Sequence, residues 1–466
     1  MSSSSVPDAL VGAVAPAGAG PQAANGLSLR IRLCYGAGSL FTSIYGTLPQ
    51  VVLLYFMTSL LGVPPALAGV VVFLPKVLEI FYDPLLGLWS DGLRTPWGRR
   101  RPLMLAGAIV VGVCLPWLFN PPALGGPNAT ALYMASLFMV CTVGYSLFFV
   151  PYLSMPAEMS EDAHEKTRLM SVRISFLSVG VLTAGAGAPW LVKAAGGGLA
   201  GYAVMGWCFT VLCVAAMTVA IFGTIGAPQT QASPHDLTLA EQLRLAWANK
   251  PFVILAAAYG LQVCAQGAFA AALPYHVQHV LGAGQPLVGL VFLCVTGTAL
   301  LTMAPWAAAG RRLPKKSAYL IASAVYAAAS LASWLHGGAS DRTWVLAGFV
   351  LLGIGFGGME LFSHAMLPDA TQHDRVRTGL NREALFSGLW IAVEKAGFAA
   401  GAAIVAALLH WGGLVASVAG GDPVVQPPAA VDAVRVAASW VPAGLFLVSL
   451  VVLSGYRLPE QSWDSH

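Results

Sequence analysis

The chain has 466 residues, of which 57% are hydrophobic and 9% are charged, against about 25% charged residues in a soluble domain. One core cannot hide this much apolar surface from water, so the composition excludes a soluble enzyme, a disordered chain and a coiled coil. The 24 Lys and Arg residues against 20 Asp and Glu residues give a net charge of +4. This excess is too weak and too scattered to indicate a nucleic-acid partner.

Twelve runs of about 20 or more mostly apolar residues are predicted to cross the lipid bilayer as helices. In chain order they cover 30–61, 66–93, 102–120, 129–155, 169–193, 200–226, 251–281, 285–310, 317–336, 343–367, 381–411 and 437–456. The longer runs imply tilt or kinks, for which Pro49, Pro75, Pro84 and Pro151 are the expected points. The predicted fold class is therefore all-α integral membrane.

Basic residues are concentrated on one side of the predicted spans. That side holds Arg30, Arg32, Arg94, Arg99, Arg100, Arg101, Lys166, Arg168, Arg244, Lys250, Arg311, Arg312, Lys315, Lys316, Arg375, Arg377, Arg382 and Arg457. The opposite loops carry only Lys193, Arg342 and Arg435. The positive-inside rule then predicts a multi-pass protein of the cell membrane with both termini in the cytoplasm. Residues 1–27 lack the basic and apolar regions of a secretory signal and are interpreted as a disordered cytoplasmic tail.

The two halves of the chain repeat each other. RRRP ends at Pro102 and GRRLP at Pro314, and two acidic loops carry Pro156 and Pro368, so both pairs are 212 residues apart. A polar linker at 227–249 separates a bundle at 28–226 from a second at 250–457, followed by a tail at 458–466. Two parallel six-helix halves with twelve transmembrane helices are typical of the major facilitator fold, which places the substrate between the halves near mid-membrane.

Charged residues at membrane depth are the first candidates for a functional site, because each costs about 2.5–3.5 kcal/mol at a helix centre. Lys76, Glu79 and Asp83 are spaced i, i+3 and i+7, so they project from one face of the second span. Two carboxylates one turn apart can chelate a small cation or share a proton, and Lys76 can neutralise one of them. The alternative is a buried network of ion pairs that joins helices.

Charged residues also occur in other spans. Glu394 and Lys395 are adjacent in the eleventh span and face about 100° apart, so one of them is expected to face the central cavity, and we favour Lys395. Glu360 in the tenth span either lines the cavity or accepts a hydrogen bond from a neighbouring helix. Arg173 in the fifth span either reaches an anionic group in the cavity or locks the cytoplasmic side.

Aromatic residues of the fourth span share a face. Tyr145, Phe149 and Tyr152 are spaced i, i+4 and i+7, which indicates either ordinary packing or a ring platform for a sugar. No His or Cys spacing indicates a metal site, since His276 and His279 have no third ligand near them in the sequence. The only metal ion expected is a Na⁺ at Glu79 and Asp83.

Two motifs carry a family resemblance. The segment YDPLLGLWSDGLRTPWGRRRP at 82–102 and the segment LPDATQHDRVRTGLNREALFSGL, followed by EKAG, at 367–397 are similar to the signatures of the glycoside–pentoside–hexuronide:cation symporter family of the major facilitator superfamily. The resemblance implies secondary active transport by alternating access. Its pattern of roles places the coupling cation at Glu79, Asp83 and Ser146, and the family's basic residues fall on Lys76, Arg173 and Lys395.

Departures from the family pattern affect both ligands. Tyr82 replaces an asparagine of the sodium site, which favours H⁺ over Na⁺ as the coupling ion, with no other cofactor implied. The family's sugar-binding acids align near Ser43 and with Phe149. The implied function is cation-coupled symport of a sugar, glycoside or uronide. The alternatives are transport of an amphipathic or anionic non-sugar such as a lysophospholipid and, more remotely, a non-transporting membrane sensor.

Further expectations concern the cytoplasmic gate and the assembly. One set of charged residues at the cytoplasmic helix ends is expected to form ion pairs that hold the outward-open state and break on inward opening: Asp91, Arg99, Arg100, Arg101 and Glu158. Because the chain shows no acidic metal–diphosphate motif and no nucleophile beside a base, it is not expected to be an enzyme. The expected partners are the bilayer and a small-molecule substrate, with the protein acting as a monomer.

Overall fold

The computed structural model describes residues 27–160, 163–227, 244, 247–336, 341–378, 383–419 and 424–457. Within these residues twelve helices are long and apolar enough to cross a membrane. They are α1 Leu29–Ser59, α2 Pro65–Gly92, α3 Arg101–Leu118, α4 Pro127–Met159, α5 Ala163–Ala194, α6 Gly198–Gly223, α7 Lys250–Val280, α8 Gln285–Gly310, α9 Lys315–Leu335, α10 Arg342–Thr378, α11 Glu383–Trp411 and α12 Pro428–Ser454. The expected N- and C-terminal tails and most of the linker at 227–249 lie outside the described residues.

The largest extensions beyond the apolar pattern are in two helices. α10 continues to Thr378, past the expected end at 367, and α12 begins at Pro428 instead of 437. Both extensions carry charged residues, so hydropathy alone ends the span too early. In α12, Val434 is buried while Asp432 is exposed, as on an amphipathic helix start. Pro428 suits this start because proline at the first helical position has no N–H to leave unpaired.

The prolines produce local widening rather than breaks. In α1 a π-helical turn runs over Pro49–Leu53, and in α7 a π-helical turn follows Pro274 over His276–Val280. A proline removes a backbone donor, and a π-turn is one way to accommodate the loss inside a long helix. α2 and α4 continue through their internal prolines.

The packing of the helices repeats from one half to the other. In the first half α1 packs on α5 and α6, α3 packs on α4 and α6, and α2 packs on α4. In the second half α7 packs on α11 and α12, α9 packs on α10 and α12, and α8 packs on α10. Three pairs join the halves. α2 packs on α11 and α5 on α8, and these two pairs exchange under the repeat, while α1 contacts its own counterpart α7. The predicted major facilitator fold with two six-helix halves is therefore confirmed.

Hydrogen bonds fasten the halves at the end of the bundle opposite the Arg99–Arg101 loop. We name this end the distal end and the other the basic end. The Tyr275 hydroxyl of α7 lies 2.5 Å from the Thr58 hydroxyl of α1, and Tyr55 donates to the side chain of Gln278. These contacts sit at the π-turn of α7, so the widened turn places two polar side chains against α1.

Backbone and small-residue contacts close the distal end further. Leu61 and Val418 form an antiparallel bridge between the α1–α2 loop and the α11–α12 loop. The Phe292 ring of α8 lies against Gly185 of α5, where it leaves no room for a side chain. The two halves therefore meet closely at this end.

The basic end is open between the halves. The buried residues of α8 all lie between Val288 and Ala299, and none falls on 300–310. Beyond Asp83, α2 makes no hydrogen bond or ion pair to the second half within the described part of the chain. The structure is thus a state with the distal end closed and the basic end open.

Candidate functional site

Three charged side chains of α2 do share one face, as their spacing predicted. Lys76 Nζ lies 3.0 Å from Glu79 Oε2, one turn further along the helix. Glu79 is completely buried, whereas Asp83 keeps 18% of its side chain exposed. A buried carboxylate needs a compensating charge, and Lys76 supplies one from within the same helix.

A second ammonium reaches these carboxylates from the other half of the protein. Lys395 of α11 places Nζ 2.5 Å from Glu79 Oε1 and 2.6 Å from Asp83 Oδ2. Glu79 is therefore held by two lysines, and the two carboxylates and two ammonium groups balance in formal charge. Asp83 Oδ1 is buried without a hydrogen-bond partner in the described structure. An ammonium ion held by two carboxylates occupies the kind of position that a small cation would take.

Ser146 and Tyr82 complete the polar surroundings of Asp83. The Ser146 hydroxyl lies near Asp83 and Tyr82, but neither hydroxyl forms a hydrogen bond with good geometry to a described residue. Their oxygens are two uncommitted groups beside the carboxylate.

A column of aromatic rings covers one side of the charged group. Tyr145 of α4 stacks between Tyr45 of α1 and Phe149, with ring centroids 4.7 and 5.0 Å apart. Lys76 Nζ lies 5.0 Å from the centroid of Tyr145, and Lys395 Nζ lies 4.7 Å from that of Phe149. These are cation–π distances, so the rings stabilise both ammonium groups. Tyr45 was not predicted in the site, although it lies on the α1 surface that faces α4.

Two residues predicted to bind substrate have other roles in the structure. Tyr152 is fully buried, stacks on Tyr35 and donates to the Tyr35 backbone carbonyl at 2.9 Å, so it is not part of an open ring platform. Ser43 is also buried and donates to the carbonyl of Ser39 at 2.7 Å. It packs against Gly180 of α5, where a side chain would collide with the Ser43 hydroxyl. In this state both side chains therefore take part in helix packing, and their substrate roles stay predictions.

Arg173 of α5 is a cation without an ion-pair partner among the described residues. Its Nε is buried with no hydrogen-bond acceptor, and the guanidinium lies near the hydroxyl of Tyr152. A guanidinium that is only partly enclosed and pairs with no carboxylate can receive an anionic group. Two roles were predicted for Arg173, contact with an anionic group in the cavity and locking of the cytoplasmic side. The absence of a described carboxylate partner favours the first role.

Comparison with known proteins gives the family. The pattern of the family described as MFS/sugar transport protein matches residues 34–460, which is most of the chain. The chain belongs to this family. An uncharacterized symporter of Synechocystis sp. is 27% identical, covering 93% of this chain and 95% of the relative. A glucuronide carrier protein homolog of Escherichia coli is 23% identical and covers 94% of each chain.

Solved structures agree with this membership at the level of the fold. A bacterial homolog of the human lysosomal transporter Spinster has a TM-score of 0.66 at 12% identity, covering 93% of this chain and 98% of that one. The protein is therefore a multi-pass membrane protein of the major facilitator sugar symporter family.

Within this family fold, the predicted ion pairs of the basic end lie inside the first half. Glu158, at the end of α4, accepts from Arg99 and Arg100 at 2.7 Å each. Arg101 pairs with no described carboxylate and donates instead to the carbonyls of Trp97 and Thr224 at 2.9 and 2.6 Å. The side chain of Asp91 lies outside the described residues.

These pairs are intact although the basic end is open. Both partners of each pair belong to the first half, so in this state the pairs do not link the two halves. The gating role of Arg99, Arg100, Arg101 and Glu158 stays a prediction.

The remaining predicted charges, Glu360 and Glu394, lie in the second half and form no ion pair or hydrogen bond with Glu79 or Asp83 in the described structure. Glu394 lies near Glu360 and Tyr259, and His364 stands one turn after Glu360. Sequence reasoning missed the involvement of His364. Its i, i+4 spacing from Glu360 was the available signal.

Proposed function

We propose that the protein is a cation-coupled symporter of an acidic sugar or glycoside, working by alternating access. The observation that carries this proposal is the position of Lys395, whose ammonium lies between Glu79 and Asp83 across the interface of the two halves. The family membership supplies the class of sugar symporter. The coupling cation and the acidic substrate are the parts that we infer.

The coupling follows from competition for two carboxylates. A cation that binds Glu79 and Asp83 replaces the ammonium of Lys395 and releases the ionic link between α2 and α11. That link joins the halves in the state that is closed at the distal end. Loss of the link therefore favours opening at the distal end, and return of Lys395 favours release of the cation at the basic end. Tyr82, in place of a smaller amide, favours H⁺ over Na⁺ as this cation.

The proposed substrate carries a negative charge because the cavity has a free cation and few acids. α1 has no acidic residue, and Glu158, which lies at the end of α4, is the only one in that helix. Arg173 pairs with no described carboxylate, and released Lys395 is a second cation. A uronide offers a carboxylate for these groups and a ring face for Phe149. The E. coli relative named as a glucuronide carrier homolog is in keeping with this class.

With the basic end in the cytoplasm, the structure corresponds to an inward-open state and the sugar would be imported. A membrane potential of 100 mV supplies about 2.3 kcal/mol per net positive charge moved. A uronide anion and one cation carry no net charge together, so the cation gradient alone would drive their accumulation.

The test measures uptake by the full-length protein in proteoliposomes, because a uronide anion that moves with one cation transfers no net charge. Uptake of labelled uronides, neutral glycosides and lysophospholipids is followed with and without a Na⁺ gradient and with and without a pH gradient. We expect uronide accumulation that depends on the pH gradient and is lost in Asp83→Asn but kept in Asp432→Asn, a matched change at an exposed site. Uptake of lysophospholipids without uptake of any sugar would reject the sugar substrate and favour the amphiphile.

A further inference from the structure

A group of titratable side chains in the second half takes no part in the proposed coupling. His364 Nδ1 lies 3.6 Å from Glu360 Oε1 and 3.0 Å from the Glu360 backbone carbonyl, one turn earlier on α10. Their side chains are 47% and 34% exposed, so they border the open part of the bundle. Glu394 of α11 lies deeper, within electrostatic reach of both. We name Glu360, His364 and Glu394 the second-half triad.

Two stacked rings hold the imidazole in place. Tyr259 of α7 and Trp390 of α11 stack with centroids 4.0 Å apart and an angle of 13° between their planes. The His364 ring stands edge-on to both, at 5.7 and 5.8 Å. Trp390 is 97% buried, and its Nε1 has no hydrogen-bond partner among the described residues. A buried, unpaired donor beside three titratable groups is unusual, because such donors are nearly always satisfied.

Every element around His364 contributes identifiable groups. α7 brings Tyr259, α10 brings Glu360, and α11 brings Glu394 followed by Lys395. α9 brings Tyr319, whose hydroxyl donates to Gln262 at 2.8 Å, and Lys315, which is paired with Asp369 at 2.7 Å. α8 contributes Trp306, which donates to the backbone of α10. Of these groups, Lys395 also interacts electrostatically with Glu394, whereas Lys315 is neutralised by Asp369.

We propose that the second-half triad is a second proton-binding site, separate from Glu79 and Asp83, that takes up a proton from the open basic end. Imidazole is the side chain whose charge changes near neutral pH, and the two neighbouring carboxylates stabilise the positive charge that it gains with a proton. A metal ion is the poorer ligand, because no group of three or more His, Cys, Asp or Glu side chains in the described structure is arranged to hold one. A sugar ring is also excluded in this state, since Tyr259 and Trp390 cover each other.

The site has a consequence for the conformational change. Closing the basic end would take Glu360 and His364 out of water, and burial is costly for any charge that is not balanced. With neutral His364 the triad carries two carboxylates, whereas one added proton reduces this excess. Proton uptake by the triad therefore favours closure of the basic end, independently of which substrate the protein carries.

The test needs no substrate, so its failure can be distinguished from failure of the symport proposal. The fluorescence of the full-length protein in lipid nanodiscs is titrated from pH 4.5 to 8.5. Subtracting a Trp390→Phe variant isolates Trp390 from the other tryptophans among the 13 in the chain. Imidazolium quenches a neighbouring indole, so we expect a single transition with its midpoint between about pH 5 and 8.

Four variants identify the side chains that cause the fluorescence transition. His364→Gln should abolish it, Glu360→Gln and Glu394→Gln should each shift its midpoint by at least 0.5 pH units, and His373→Gln on the same helix should leave it unchanged. A flat difference signal, a transition that survives in His364→Gln, or an equal shift in His373→Gln would overturn the proposal.

Because Trp390→Phe could disturb the fold, proton uptake is also measured directly. A pH-indicator dye reports the protons bound when the wild type, His364→Gln and His373→Gln are acidified. We expect His364→Gln alone to bind about one proton fewer. Equal uptake by all three proteins would likewise overturn the proposal.

Discussion

Replacing Lys395 by glutamine is the most direct perturbation of the charged group between the halves. The change keeps a polar side chain of similar length but removes the ammonium that lies 2.5 Å from Glu79 and 2.6 Å from Asp83. Lys76 then remains as the one lysine beside two carboxylates. The site is left with one excess negative charge, and we expect a coupling cation to bind it more tightly.

The size of the effect follows from the burial of the pair. Removing one partner of a buried ion pair costs about 3–5 kcal/mol, because the other charge stays buried without compensation. A cation that restores the balance recovers this cost, and each 1.4 kcal/mol corresponds to a factor of ten in affinity. The full effect would be about two to three and a half powers of ten. Glutamine can still donate a hydrogen bond and Asp83 is partly hydrated, so we expect an increase of at least tenfold.

The assay is the dependence of thermal stability on Na⁺ or Li⁺ concentration, since a ligand that binds only the folded state stabilises it by mass action. Wild type, Lys395→Gln and Lys193→Gln, a matched change at an exposed lysine, are compared in the same detergent. If the proton is the coupling ion, the same comparison is made on the pH dependence of stability. Equal cation and pH dependence in wild type and Lys395→Gln would refute the argument that Lys395 occupies the place of the cation.

Four further outcomes test other parts of the structure. Leu61→Cys with Val418→Cys should form a disulfide under oxidation, because facing residues of such a bridge lie about 4.5–5.5 Å apart; it should block uptake until reduced, unlike either single variant. Glu158→Gln should lower the free energy of unfolding by about 3–5 kcal/mol, because two guanidinium groups lose their acceptor; an unchanged melting curve would contradict this. Gly267→Val should destabilise by at least about 1–3 kcal/mol, since a side chain there would collide with the Phe398 carbonyl of α11; chemical denaturation measures this. Burial lowers the pKa of His336 below its ordinary value of about 6.5, so below that pH the unfolded chain binds a proton that the folded chain does not. The melting temperature of the wild type should therefore fall as the pH is lowered from 6.5 to 5. The melting temperature of His336→Phe should fall less over the same range.

Sequence reasoning reached the parts of the site that depend on one helix. Lys76, Glu79 and Asp83 share a face because of their spacing alone, and the structure shows that face. The direction in which a helix faces its neighbours depends on packing between distant segments. Tyr152 follows the predicted helical spacing yet is covered by Tyr35 of α1.

The burial of Ser43 and the end of α10 were not predicted, because both depend on more than the apolar pattern of one segment. A glycine at 180, far away in the sequence, lets α5 approach α1 closely enough to cover Ser43. Apolar composition located all twelve spans but ended α10 too early, since a helix can leave the membrane without ending. Properties of one segment were therefore predictable, whereas contacts between segments were not.

The distribution of charge between the halves has a consequence for coupling. Of the ion pairs that the structure describes, only those of Lys395 join the two halves. The other links at the distal end are hydrogen bonds and close packing, and a hydrogen bond contributes about 0.5–1.5 kcal/mol net. Under the proposed coupling, the Lys395 link is therefore the one among these contacts that a cation at Glu79 and Asp83 would weaken.

The two interfaces that the repeat relates differ in charge. The α5–α8 interface is the counterpart of α2–α11, and α8 carries no charged residue at all. The α5–α8 interface therefore has no ion pair that a cation could weaken, and it can stay closely packed as a pivot. The α2–α11 interface contains the Lys395 ion pairs, so under the proposed coupling a cation would loosen the bundle on that side of the cavity. An ion pair introduced across α5 and α8 would oppose that movement whatever cation is bound, and should slow transport without changing cation affinity.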